Sequence, residues 1–269
     1  MSHITIKGPD RSGQDENLCS VRHTTFQFEI DRRDSPVSGL RRHLGASRFA
    51  FNQSLRLHLI ARRAKAEHVP WSGFDLINTF NAWKKTEDAG RTFHVAPDSM
   101  AEIEVTGLRW RGEVCQQVFE EAAVDCGRAL QAWTASRQGK RRGRKVGHPR
   151  FKRKTDRSGS FRIRNKTSKN GRCSIRVGDE HPQSITLPGV GAVRVFNNTR
   201  PLRRLLAKGR GKILFATVRL QPSGRWTVSL NVQAKELHES RRHTRPGRTV
   251  GGRGPRPHSA RRCRHLERP

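Results

Sequence analysis

The chain has 269 residues and carries 55 Lys and Arg against 23 Asp and Glu, a net charge of +32 at pH 7. That length accommodates one large domain or two small ones, and a charge of that size excludes incidental solubility as its reason: the field attracts polyanions, nucleic acid first among them. No run of 18 apolar residues occurs and the N-terminus has no apolar h-region, so the reading is cytoplasmic, with neither a membrane partner nor a small-molecule substrate expected.

Residues 1–21 are polar and read as a loose tail. HTTFQFEI (23–30) places Phe26, Phe28 and Ile30 at period two, the mark of a strand with one buried face, within a first segment at 22–36. Ser35-Pro36 reads as a helix start, a hydroxyl cap followed by proline. Leu40, Leu44, Phe51, Leu55 and Leu59 then keep one face apolar, while Arg41, Arg42, Arg56, Arg62, Arg63 and Lys65 occupy the other.

Phe74, Ile77, Phe80 and Trp83 recur every three residues and predict a second helix over 71–85, broken at 90–97. Val114 to Trp133 is the strongest helix, with a stripe of Val114, Val118, Ala122, Cys126, Ala129 or Leu130, and Trp133, closed by Gly139. Trp133 continues the stripe and is read as core. Cys115 and Cys126 lie in the same stretch as packing residues. The five cysteines form no CxxC pair, so no zinc ribbon, disulfide framework or metal site is expected, and no cofactor in this chain.

The stretch 139–164 holds twelve cations in 26 residues around glycines and a proline, with Phe151 and Phe161 interleaved. Glycines admit a phosphate close to the backbone, aromatics offer stacking, and so dense a charge repels itself without a polyanion nearby. The candidate nucleic-acid contacts here are Arg141, Arg142, Arg144, Lys145, Arg150, Phe151, Lys152, Arg153, Lys154, Arg162 and Arg164. Short strands follow at 173–177 and on either side of Pro188-Gly189, with a helical turn near 202–206. A hairpin then runs from 213–220 to 226–232 around Gln221-Pro-Ser-Gly224. The fold class is α+β: a small barrel or sandwich of strands interrupted by a helical insert over 37–138, the remaining strands lying in 139–235.

Several of these segments, in order, resemble the TnpB-type (OrfB) transposases of insertion sequences, a family related to type V CRISPR nucleases. RRHLGASRFAFNQSL (41–55) is similar to the family's first helix. GHPRFKRK (147–154), SFRIR (160–164), ITLPGVGAVRV (185–195) and RWTVSLNVQ (225–233) resemble its later motifs. The resemblance implies a wedge-like β-barrel with an inserted recognition bundle, helix-turn-helix-like at its start, which grips guide RNA and its duplex with target DNA through the backbone while base pairing reads the sequence. The cationic face of the first helix adds Arg41 and Arg42 to the candidate contacts, and the match to the family's helix adds Arg48 and Asn52, for which packing or capping inside the fold is the alternative.

The family's chemistry resides in a C-terminal RuvC-like half, where three carboxylates hold divalent metal for phosphodiester cleavage and a zinc ribbon follows. Here the chain departs. Val250-Gly-Gly-Arg-Gly254 stands where a glycine–aspartate strand is expected, and the acids beyond residue 181 are Glu236, Glu239 and Glu267 alone. The expectation is a reading frame lost near residue 248. The segment 236–269 is then a disordered, out-of-frame basic tail, there is no catalytic residue, and the copy binds nucleic acid in transposition without cleaving it. The alternatives are a non-enzymatic regulator that competes with full-length protein, and a nuclease built on Asp75, Asp125, Asp156 and Glu180.

Overall fold

The period-two apolar residues of the first strand find their partners two hundred residues away. In the computed structural model, β1 (Arg22–Glu29) lies antiparallel to β9 (Trp226–Ala234), with Phe26 opposite Leu230 and Phe28 opposite Val228. β9 pairs in turn with β8 (Gly211–Leu220), across the expected turn, and β8 with β4 (Gly159–Arg164), giving the order β1-β9-β8-β4. The structure describes residues 22–85, 92–94, 102–104, 108–155 and 158–235. The readings made for 1–21 and 236–269, and for Asp156, fall outside them.

A second antiparallel sheet holds β5 (Arg176–Val177), β6 (Ser184–Leu187) and β7 (Gly191–Arg194), the last two joined through Pro188-Gly189. The expected barrel does not form among the described residues. Among the described residues a lone bridge joins the two sheets, Ile30 to Val195, and in the segment between β4 and β5 the Ser174 N–H donates to the Lys166 carbonyl at 2.8 Å. Strands of two and four residues are too short to carry a ladder along the outer edges of β1 and β4. A further pair, β2 (Thr92–His94) and β3 (Glu102–Glu104), lies in the helical part and was not foreseen.

Three helices pack together and onto the larger sheet. α1 (Val37–Arg63) buries Leu40, Leu44, Phe51 and Leu55 and exposes Arg41, Arg42, Arg56, Arg62 and Arg63, as the pattern predicts. Its start differs. Pro36 stands at the cap without a side-chain bond, because the Ser35 hydroxyl is taken by β7, accepting from the Arg194 N–H at 2.9 Å.

α2 (Gly73–Lys85) buries Leu76, Phe80 and Trp83 but leaves Phe74 73% exposed. Nine residues at about 100° each carry a side chain half a turn round the axis, so Phe74 and Trp83 cannot share a face. α3 (Gln116–Arg137) follows a 3-10 turn at Arg109–Glu113 and buries Val118, Phe119, Ala122, Cys126 and Leu130. Phe49, Phe80, Trp83, Trp110 and Phe119 join the helices in one aromatic cluster with ring centroids 5.4–5.9 Å apart. α4 (Arg200–Ala207) packs beside β8, and its Leu202 is buried.

Candidate nucleic-acid interface

The basic loop begins where α3 is stopped. Gly139 adopts a left-handed φ of 69°; the Lys140 N–H bonds the Ala135 carbonyl at 3.0 Å and the Gly139 N–H the Ser136 carbonyl at 3.4 Å. This glycine-terminated pattern satisfies the last helical carbonyls and reverses the chain. The Ser136 hydroxyl then accepts the Val146 N–H at 2.9 Å, drawing the loop back onto the helix.

Farther along, α1 braces the loop. The Asn52 side-chain amide donates to the Lys152 carbonyl at 2.9 Å and accepts the Lys152 N–H at 2.8 Å. One turn away Arg48 donates to the Ser158 carbonyl at 3.2 Å, and the Lys152 ammonium lies 3.9 Å from the Phe51 ring centroid. Burial holds the Lys152 pKa below the usual lysine value, only partly opposed by the nearby Asp125. Residues 48, 51 and 52 share one helix face, and from it they position the loop. Asn52 and Lys152, read from sequence as contacts, therefore serve as anchors.

Between these anchors Arg141, Arg142, Arg144, Lys145 and Arg150 stand exposed, followed by Arg153 and Lys154, and residues 139–155 contain no acidic side chain. Phe151 is 50% exposed beside them. These are the predicted contacts that the fold brings together at the surface.

Arg162 and Arg164 have a different setting. Glu121 of α3, buried at 3% exposure, accepts from both: from Arg162 Nη1 at 3.3 Å and from Arg164 Nε. Arg162 also lies 3.7 Å from Asp125 and 5.1 Å from the Phe215 ring centroid. Glu121 thus answers part of their charge, and the Arg164 side chain remains 57% exposed. Arg42 pairs with Glu113 at 3.2 Å. Arg41 belongs to a separate cleft of about 600 Å³ with Arg32, Arg33, Phe196 and Arg225.

Trp133 corrects the sequence reading most clearly. It lies outside the hydrophobic core, beside an open cleft, with the guanidinium carbons of Arg62 and Arg137 5.5 and 5.3 Å from its ring centroid and His148 edge-on at 4.7 Å. Trp71, 46% exposed, lines the same cleft. The signal that separates Trp133 from core is its neighbour Arg137, four residues on, which brings a cation onto the stripe.

The carboxylates offered for catalysis are placed elsewhere. Asp75 caps the first turn of α2 in a reciprocal pair with Ser72, and Asp125 bonds Arg128 at 3.4 Å. Among the described residues no three His, Cys, Asp or Glu side chains gather as a metal site. Of the described cysteines Cys126 is buried, and desolvation pushes its thiol up to about 12. The described residues thus assemble no divalent-metal or zinc site of the kind the resembled family implies. Among them no helix is long and apolar enough to cross a membrane.

No family profile matches the chain. Two proteins of Mycobacterium tuberculosis, one from strain CDC 1551 and one from strain H37Rv, both named "Putative RNA-guided DNA endonuclease", are each 29% identical to it over 197 residues. The match covers 72% of this chain and 38% of each relative, so the chain spans well under half the length of the curated relatives it matches. This similarity to proteins named as RNA-guided DNA endonucleases supports the TnpB-type resemblance seen in the motifs.

Proposed function

We propose that this chain is a nucleic-acid-binding protein of the TnpB (OrfB) type, acting in DNA transposition, that holds RNA and its duplex with DNA by their phosphates and does not cleave on its own. The observation that carries the reading is the loop at 139–155: a run of exposed cations with no carboxylate among them, pinned at one end by the Gly139 stop and at the other by Asn52. A loop held open in this way meets a polyanion without first being ordered by it, which lowers the cost of binding. The names of the relatives support RNA and DNA as the polyanions. The absence of cleavage is supported by the engagement of Glu121, Asp125 and Asp75 with partners in the fold.

The test is a titration of the purified chain with a labelled RNA strand and an RNA–DNA duplex across a salt series, with Mg²⁺ present in a parallel set. The expected result is an affinity whose logarithm falls linearly with that of the salt concentration, and intact DNA strands after incubation. Binding insensitive to salt contradicts the phosphate-based reading, and metal-dependent strand scission contradicts the non-cleaving one.

A further inference from the structure

The end of α1, the segment around Trp71 and the last turns of α3 enclose an open cleft of about 620 Å³, within the range of roughly 300–1,000 Å³ typical of small-molecule sites. His58, Arg62, Trp71, Leu130, Trp133 and Arg137 line it, and no carboxylate among the described residues does. Trp71 stacks on no other ring among the described residues. The two guanidiniums over Trp133 make the rim cationic. His58 is 6% exposed. Its Nδ1–H donates to the Pro70 carbonyl at 2.9 Å, and its Nε2 has no partner. Burial favours the neutral ring, with His148 and Arg62 adding to the effect, so this wall of the cleft carries no charge of its own. The exposed cations from Lys140 to Lys145 follow directly on this end of α3.

An aromatic-walled cleft with a cationic rim and a run of exposed cations at its edge matches one chemical group. We propose that it takes up a single unstacked nucleobase of a bound strand. The base lies against Trp71 and Trp133, and the flanking phosphate meets Arg62 and Arg137. Every base has a π-face, so uptake is by shape rather than by sequence. The inference rests on the nucleic-acid reading above.

The experiment uses the full chain and a labelled 12-nucleotide single-stranded RNA, comparing wild type with Trp71→Ala, Trp133→Ala and Trp133→Phe. Each alanine variant is expected to weaken binding by roughly 5- to 150-fold, the range for losing one base–aromatic stack, with the salt slope unchanged; Trp133→Phe retains most of the affinity. If Trp133→Ala fails to fold, the half-exposed Trp71 still provides the test. Unchanged affinity in folded Trp71→Ala and Trp133→Ala overturns the base site while leaving the loop reading intact, provided removal of the loop cations does weaken binding. Failure of wild type to bind the strand at all overturns both. Free adenosine monophosphate that competes only at millimolar concentration agrees with a base presented by a strand, whereas adenosine monophosphate bound more tightly than the strand overturns that source.

Discussion

Asn52 and Lys152 hold each other across one hundred residues of sequence: both polar atoms of the asparagine side chain are spent on the lysine's backbone N–H and C=O. Asn52→Ala removes both bonds and strands a partly buried donor and acceptor. A loss of about 1–3 kcal/mol is expected, read from the urea midpoint. RNA affinity should fall as well while the salt slope holds, because the loop is loosened and no phosphate contact is deleted.

The run Lys152-Arg153-Lys154 reads as uniform in sequence, but the fold divides it. Replacing Arg141, Arg142, Arg144 and Lys145 with Ala should make the salt slope for single-stranded RNA shallower by about 1–3 units, at ~0.7 per lost phosphate contact. Lys152→Ala should leave the slope almost unchanged and cost about 0.5–2 kcal/mol of stability, the range for a cation over an aromatic ring. Anisotropy titrations at four salt concentrations separate the two outcomes.

Glu121 is the internal counter-charge of β4. Glu121→Ala should destabilise by about 2–4 kcal/mol, near the lower end of the range for breaking a buried pair, because Arg164 is 57% exposed and finds water. Arg164→Ala, which leaves Glu121 with Arg162, should cost less. Denaturation midpoints of the two variants give the comparison.

Burial lowers the pKa of His43 and His58 below the ordinary 6.5. Below pH 6.5 the unfolded chain therefore binds protons that the folded chain refuses, and stability falls as pH falls toward the folded values. A melting series from pH 7.5 to 5 should show this decline. Removing one of the two imidazoles, as in His58→Gln, should flatten it.

Gly127 lies where α3 crosses the start of α2. A β-carbon there would sit 2.5 Å from the Gly73 nitrogen, and backbone cannot swing aside. Alanine normally favours a helix over glycine by about 1 kcal/mol, yet Gly127→Ala should destabilise by about 1–3 kcal/mol through overpacking. Thermal denaturation decides the sign.

Local patterns were the legible part of the sequence. The alternation in β9, the apolar face of α1 and the Gly139 stop each depend on neighbours within a few residues, and each is found in the structure. What escaped depends on partners far along the chain. Ser35 looks like a cap until Arg194, 159 residues on, claims its hydroxyl. Arg162 and Arg164 look unpaired until Glu121 is brought under them. Phe74 shows a limit of another kind, a period of three that drifts off the helical face. For the candidate interface, charge density located the loop, but only the fold separates displayed cations from anchoring ones.

The pairing of Phe28 with Val228 also bears on biosynthesis. At about 5–20 residues per second, β1 leaves the ribosome on the order of 10–40 s before β9 exists to cover its edge. For that interval Phe26 and Phe28 belong to a strand without its ladder. The nascent chain must therefore be shielded, or held apart by its own charge, until the last sheet strand emerges.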